Sequence, residues 1–434
     1  MKTLKYTFLI MLIGLFSCEL EEIQDPNNPS LGQIEANATL SDIQLLVSGT
    51  EDLMRSEVGF YYDVLGIMGR EYYFFTNSDP RYTGELLGKG EAVLDDAGFY
   101  GTRPYAGRYK VIRNANVLLT AVANTNESLT NEQKNGLTGF AKTCQAYSYL
   151  LALNMQYENG IRLDVSDPQN LGEFVGYDQA LTAIATLLDA AHTELTGAGS
   201  EFVFSLSTGF AGFDDPASFA AFNRAIKARV ALYQDNKSGA LTALDDSFMD
   251  MAGDLDMGPE HYYSVAGTDK VNPVFRTPDQ SEALVAHPSF VADIMAGDDR
   301  MEKVTMRTTT AVLDGLSGDY DVTIYSSLAS YIPIIRNEEL ILMYAEANIG
   351  SNNVEAIAAL NVIRTAHGLG AYTGGTTDSE VLTELLYNRR YSLFGEAHRW
   401  IDMRRYNMLN TLPIDRANDD VWSQLPRPVS EVNQ

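Results

Sequence analysis

The stretch LLYNRRYSLFGEAHRWIDMRRYN (385–407) decides how the rest of the chain is read. Glu396, Arg399, Asp402, Arg404 and Arg405 mix charge signs at helical spacing, while Phe394 and Trp400 give the segment an apolar side. In a chain of formal charge −27 with 58 acidic residues, clustered arginines satisfy neighbouring carboxylates through charge-assisted hydrogen bonds. The segment therefore reads as a structural seam between helices. Thr377 and Glu380 form a capping box ahead of it, which predicts one long helix running through Arg399.

Helical periodicity extends outward from this seam. RNEELILMYAEANIG (336–350) and AIAALNVIRTAHGLG (356–370) predict a helix pair over Arg336–Ile349 and Asn353–His367. ALYQDNKSGALTAL (231–244) has the same texture as AEANIGSNNVEAIAAL (345–360): an Ala-rich helix end, a polar turn, then a new Ala/Leu helix. Small residues at such places let two helices approach closely. Earlier, Tyr105, Tyr109, Ile112, Asn116, Leu119 and Ala123 suggest one helical stripe, and Leu137, Phe140, Cys144, Tyr147, Leu151 and Met155 a second. Between them Thr130 and Gln133 form a capping box. Cys144 falls within its stripe and reads as a small core residue. Asp178 is placed to cap a helix bearing Leu181, Ile184, Leu188 and Leu195. Asp215, followed by Pro216, caps one bearing Phe219, Phe222, Ile226, Val230 and Tyr233. Such units resemble tetratricopeptide helix-turn-helix pairs, without a strict repeat of about 34 residues. Residues 70–104 and 256–332 have another texture, rich in Gly, Pro, Asp, Asn, Thr and Tyr, and read as long loops with a few short strands.

The N-terminus speaks of location. Lys2 and Lys5 precede an apolar run from Phe8 to Phe16, too short to span a bilayer. Leu15-Phe16-Ser17-Cys18 resembles the lipobox of bacterial lipoproteins, in which the cysteine carries lipid. Residues 1–17 are thus expected to be a signal peptide and Cys18 the lipidation site, making the protein anchored, not spanning. Glu19, Glu21, Glu22 and Asp25, then Pro26, Asn27, Asn28 and Pro29, give residues 18–35 the character of an acidic flexible tether. Residues 36–434 are expected to form a single helical domain. So acidic a body repels phosphate backbones, which argues against nucleic acid as a partner.

Several pieces together resemble the SusD/RagB family of nutrient-uptake outer-membrane lipoproteins. They are the lipobox followed by Asp25-Pro26-Asn27-Asn28, Tyr109-Lys110-Val111-Ile112-Arg113-Asn114-Ala115-Asn116, the 336–370 pair, and the 385–407 ending. Asn388 departs from the family pattern, which has Glu before the Arg pair. The resemblance implies a mostly α, SusD-like fold of four tetratricopeptide-like helix pairs, with irregular loops and a few short strands on one side. It also implies a job: capture of a nutrient, commonly an oligosaccharide and in some relatives a peptide, at the cell exterior. The implied partner is a TonB-dependent, SusC-like outer-membrane transporter, over which the lipoprotein sits as a lid.

Sugar capture has a recognisable physics, since pyranose C–H faces stack on flat rings and polar side chains reach the hydroxyls. EYYFFTNSDPRYTGE (71–85) supplies Tyr72, Tyr73, Phe74, Phe75, Asn77, Asp79, Arg81 and Tyr82, and FYGTRPY (99–105) supplies Phe99, Tyr100, Arg103 and Tyr105. Tyr105 also starts a helical stripe. Tyr262 and Tyr263 beside Gly258 and Pro259, and Tyr320 and Tyr325 near Gly318, are candidates in the later loops. An enzyme is not expected. His192, His261, His287, His367 and His398 show no HExxH pattern, and no G-x-S-x-G elbow occurs. A surface glycosidase needs only two carboxylates and stays open as an alternative. Asp254-Leu255-Asp256-Met257-Gly258 lacks the further ligands of a calcium loop and reads as a solvated acidic turn. No cofactor or metal is expected.

Overall fold

The structure is a computed structural model and describes residues 30–432. Cys18, the signal segment and most of the tether lie outside the described residues. The chain is mostly helical. In order it runs α1 (Leu31–Asn37), α2 (Leu40–Arg55), α3 (Val58–Met68), β1 (Tyr72–Phe75), α4 (Phe99–Asn124), α5 (Asn131–Gln156), β2 (Ile161–Arg162) and β3 (Phe174–Val175). It continues with α6 (Tyr177–Thr196), α7 (Pro216–Tyr233), α8 (Lys237–Asp245), β4 (Glu260–His261), β5 (Ala283–Ala286) and α9 (Pro288–Asp293). The last elements are β6 (Val304–Leu313), β7 (Leu316–Val322), β8 (Ile332–Pro333), α10 (Asn337–Asn348), α11 (Asn353–Ala366), α12 (Asp378–Ser392), α13 (Arg399–Arg405) and α14 (Val429–Val432).

Helices α4 to α8 pack each on the next, and α10 joins the stack against α8 and α11. The stripe on α5 is buried as expected: Leu137, Phe140, Cys144, Tyr147, Leu151 and Met155 are all core. The Thr130/Gln133 box forms on both sides, with the Gln133 side chain accepting from Thr130 N at 3.0 Å. Asp215 caps α7 by accepting from Ala217 N and Ser218 N.

Five expectations need correction. Ala123 is exposed, because the buried stripe of α4 runs through Arg108, Val111, Ile112, Ala115, Leu118 and Val122. The buried face is rotated about one residue from the expected stripe, and Tyr105 and Ile112 of that stripe remain buried with it. Gly176, not Asp178, is the N-cap of α6; its extended backbone starts the helix one residue before Tyr177. Asp178 then sits in the first turn, where the helix dipole favours an acid. The helix after Thr377 ends at Ser392, since Gly395 (φ 78°) and Ala397 (φ 64°) adopt left-handed backbone before α13 begins. Residues 31–35, expected to be flexible, are helical, because Ser30 and Gln33 form a capping box that opens α1.

The fifth correction concerns residues 70–104 and 256–332. They build a four-stranded antiparallel sheet in the order β1-β5-β7-β6, whose β6–β7 hairpin is longer than the short strands expected. Tyr72-Tyr73-Phe74-Phe75 is buried on both faces and pairs with β5, Tyr72 opposite Ala286 and Phe75 opposite Ala283. Gly66 makes this packing possible: a Cβ there would lie 2.3 Å from the Tyr72 hydroxyl, which donates to Tyr62 O at 2.9 Å.

The 385–407 seam is structural. Arg389 holds Asp402 with Nε at 2.7 Å and Nη2 at 3.1 Å, tying α12 to α13. Arg405 reaches Glu346 of α10, and Arg336 reaches Glu396 at 2.8 Å. Arg404 lies 4.7 Å over the buried Trp400 ring and donates to Asn154 O and Ser423 O. Asn388 bridges two charged groups through its amide. Its amide donates to Glu384 Oε1 at 2.7 Å, and its carbonyl accepts from Arg300 Nη1 at 3.2 Å.

Candidate functional site

Two neighbouring hollows open where the α2–α3 junction meets the 256–276 segment. The junction is set by its sequence. Ser56 leaves α2 in extended backbone and Glu57 turns left-handed (φ 57°) before α3 starts. A non-glycine residue in that conformation is a strained position, the kind that collects at binding sites. Glu57 is held there by Arg103, with Nε to Oε2 at 2.8 Å and Nη2 to Oε1 at 3.1 Å. Gly59 lets the later segment close on α3, since a Cβ there would come within 2.7 Å of Pro273. Asn272 stitches that segment down. Its side-chain oxygen accepts from Val274 N and Phe275 N, and its amide donates to Ser330 O at 2.8 Å.

The smaller hollow, about 350 Å³, lies between α2, the 205–210 loop and β4. The larger, about 560 Å³, is lined by Glu57, Phe60, Asp63, Tyr82, Arg103 and Tyr263, with Lys270, Pro273 and Arg276 along its rim. Arg55 and Asp269 line both and form the ridge between them. Arg55 Nη1 donates to Asp269 Oδ1 at 2.9 Å and to Tyr262 O at 2.6 Å, and Nη2 to Asp52 at 3.1 Å. Burial pushes the Asp63 carboxyl up to about 6 even with Arg276 at 3.5 Å; its Oδ1 has no hydrogen-bond partner. Burial also raises Glu51, which accepts from Ser207 N, and drives His261 down to about 3, helped by Arg108 and Arg55. His261 is therefore a neutral imidazole at ordinary pH.

The aromatic candidates divide sharply. Tyr72, Tyr73, Phe75 and Tyr100 have no free ring face: all four are core, at 3% exposure or less. Tyr73 and Phe75 stack on each other at 5.4 Å, and Tyr100 hydrogen-bonds Glu85. Tyr105 is likewise buried against Tyr109, beside a separate apolar hollow lined by α1, α2, α4 and the C-terminal segment. Tyr82 and Tyr263 do line the larger hollow, as walls with little surface of their own. Tyr262 is half-buried in the smaller one and meets Tyr331 edge-on at 5.2 Å. Asn77 is exposed, Arg81 and Tyr320 are half-buried, and none of the three lines either hollow. Arg81 pairs with Asp79 and covers the Phe99 ring at 4.6 Å.

The rings near the larger hollow form a chain, Phe74 to Tyr82 to Phe99 to Phe60, with centroid spacings of 4.7, 5.2 and 5.5 Å. Guanidinium groups of Arg276, Arg81 and Arg103 cover Phe74, Phe99 and Phe60. Phe60 was not among the aromatic candidates expected from the sequence. The run Gly59-Phe60-Tyr61-Tyr62 after a charged helix end was its available signal: Tyr61 and Tyr62 turn into the core while Phe60 stays half-exposed. Arg55, Glu57 and Arg276 carried no local signal, because distant segments bring them together.

Among the described residues, no group of three or more His, Cys, Asp or Glu is arranged to hold a metal ion, and no helix is long and apolar enough to cross a membrane.

The helical stack and loop-side groove define a SusD-like fold. Residues 301–427 match the sequence model of the SusD family. A SusD superfamily protein from Bacteroides vulgatus ATCC 8482 superposes with a TM-score of 0.69 at 13% identity, covering 91% of this chain and 97% of that one. A SusD superfamily protein from Bacteroides thetaiotaomicron VPI-5482 gives 0.68 at 17% identity, over 91% and 98%. Surface glycan-binding protein A from Bacteroides thetaiotaomicron, in complex with laminarihexaose, gives 0.68 at 14% identity, over 91% and 97%. No curated protein matches by sequence.

Proposed function

We propose that the protein is a non-enzymatic surface lipoprotein, anchored through Cys18 in the outer membrane, that captures an oligosaccharide and passes it to a TonB-dependent, SusC-like transporter. The groove at Arg55 carries the reading. It joins two open hollows on the loop side of a SusD-like body, with Phe60 and Tyr262 half-exposed beside carboxylates and guanidiniums suited to hydroxyls. The likeness to a protein held in complex with laminarihexaose supports a glycan as the ligand class. The lipobox-like start and acidic tether support attachment beside a membrane partner. Titration of the purified protein with a panel of oligosaccharides and peptides tests capture. Binding confined to peptides would replace the glycan, and silence across both would overturn the reading. Release of new reducing ends from a polysaccharide would instead reveal a glycosidase. Co-purification of a transporter with the tagged lipoprotein from outer membranes tests delivery.

A further inference from the structure

A third hollow lies away from the Arg55 groove. It is largely apolar, about 550 Å³, and its walls include Leu31 of α1, Leu46 and Leu53 of α2, and Ala106 and Val117 of α4. Leu31 and Ala106 are exposed there, so apolar surface is left facing water. The setting of α1 decides which part of the chain meets this place. Its C-terminal end is fixed at the C-terminal end of α4, where the Asn124 amide donates to Glu35 O at 2.9 Å and Asn126 N donates to Asn37 Oδ1 at 2.9 Å. Its first residue, Leu31, is the end that reaches the hollow, so residues 18–29 join the body at the hollow's mouth. In CELEEIQDPNNP (18–29) the only large aliphatic side chains are Leu20 and Ile23, and the only charged ones are acids, Glu19, Glu21, Glu22 and Asp25. Lys110 and Arg113 of α4 line the same hollow. Lys110 is exposed and has no ion pair among the described residues, and the ion pair of Arg113 with Glu35 is long, 3.9 Å. The acid of the lining, Glu431, is taken by Arg162 at 3.0 Å. In a chain of formal charge −27, a cationic rim of this kind is where an acidic segment meets least repulsion.

We propose that this hollow is the docking site of the chain's own N-terminal segment, with Leu20 and Ile23 against its apolar walls and the acids against Lys110 and Arg113. Ile23 is eight residues from Leu31, about 26 Å of chain at full extension, enough to cross a hollow that opens beside Leu31 itself. Docking is independent of ligand capture at the Arg55 groove. Its consequence rests on the anchoring through Cys18 proposed above. A docked segment shortens the leash and fixes how far the groove stands from the membrane, and a released one lets the body swing outward.

A photoreactive benzophenone side chain placed at Gln24 of the full purified protein tests this, with the crosslinks mapped by peptide mass spectrometry. Insertion is expected within the same molecule, in the 46–53 and 102–117 segments. Leu20→Asp together with Ile23→Asp should lower that yield at least about tenfold, the scale of two aliphatic side chains kept in water. Lys110→Glu, on an exposed side chain, should lower it as well without shifting the unfolding temperature. Insertion spread over other surfaces, or confined to a second molecule, overturns the docking, and so does a yield that these variants leave unchanged. The intact mass of the same sample reports whether Cys18 carries lipid, so failure of the anchor and failure of the dock are told apart.

Discussion

Arg229 of α7 and Glu339 of α10 meet in a two-point contact inside the molecule, Nε to Oε1 at 2.7 Å and Nη2 to Oε2 at 2.6 Å, both side chains almost wholly buried. Burial alone would raise the Glu339 carboxyl, but Arg229 outweighs it and holds the group down at about 2, against an ordinary 4.5. The carboxylate is charged in the fold well below the pH at which the unfolded chain takes up a proton. Its contribution is therefore complete above about pH 4.5 and lost as pH falls toward 2. Glu339→Ala should cost about 3–5 kcal/mol at neutral pH by leaving Arg229 buried and unpaired. Replacing both residues with apolar ones should cost much less. Urea unfolding of the unaltered protein and the two variants measures this, and a double variant as unstable as the single one would refute it.

Glu71 works in the opposite direction. Burial pushes its carboxyl up to about 8; Arg399 and a bond from Gly395 N at 3.3 Å offset this only in part, and its Oε2 has no partner. The folded protein keeps that proton up to about pH 8, whereas the unfolded chain releases it near 4.5. Stability from this group thus falls as pH rises between those values. Glu71→Gln should be the more stable protein at pH 8, by about 3–5 kcal/mol, with the gain shrinking to nothing near pH 4.5. Thermal unfolding of both proteins across that range is the check.

Phe60 and Tyr100 should separate binding from stability. Phe60→Ala removes a half-exposed ring from the larger hollow and should weaken oligosaccharide binding about three- to tenfold with little change in unfolding. Tyr100 is fully buried, so Tyr100→Ala should cost about 3–5 kcal/mol of stability. A loss of affinity for the Tyr100 variant, measured where it is still folded, would show that the core reading of this ring is wrong.

Cys144 lies 1% exposed in α5, and burial lifts its thiol well above the ordinary value. With neither thiolate nor access, it should resist a water-soluble thiol reagent in the native protein and react fully in denaturant. Rapid labelling without unfolding would contradict its placement.

What was readable in the sequence follows physical range. Helices α5 and α7 declared themselves because cap and stripe lie within one element: Thr130 with Gln133, Asp215 with Pro216. The capping box at Thr377 marked a start correctly but not the end: the helix stops at Ser392, ahead of left-handed backbone at Gly395 and Ala397, while the charged and apolar residues beyond keep helical spacing into α13. Tyr72–Phe75 misled for a different reason. A run of four rings beside polar residues fits a binding loop as well as a doubly buried strand, and its partner strand is remote in the chain. The groove was half legible: Tyr82, Tyr262, Tyr263 and Arg103 were flagged by type, whereas Arg55, Phe60 and Asp269 acquire meaning only when the 256–276 segment folds over α3.

The pairing of Tyr72–Phe75 with Ala283–Ala286 carries a cost in time. A chain synthesised from its N-terminus displays four adjacent rings on an unmatched strand until about two hundred further residues have followed. That interval invites association with other chains. Refolding at rising protein concentration should therefore lose material to aggregate at this stage, before any defect at the Arg55 groove could be felt.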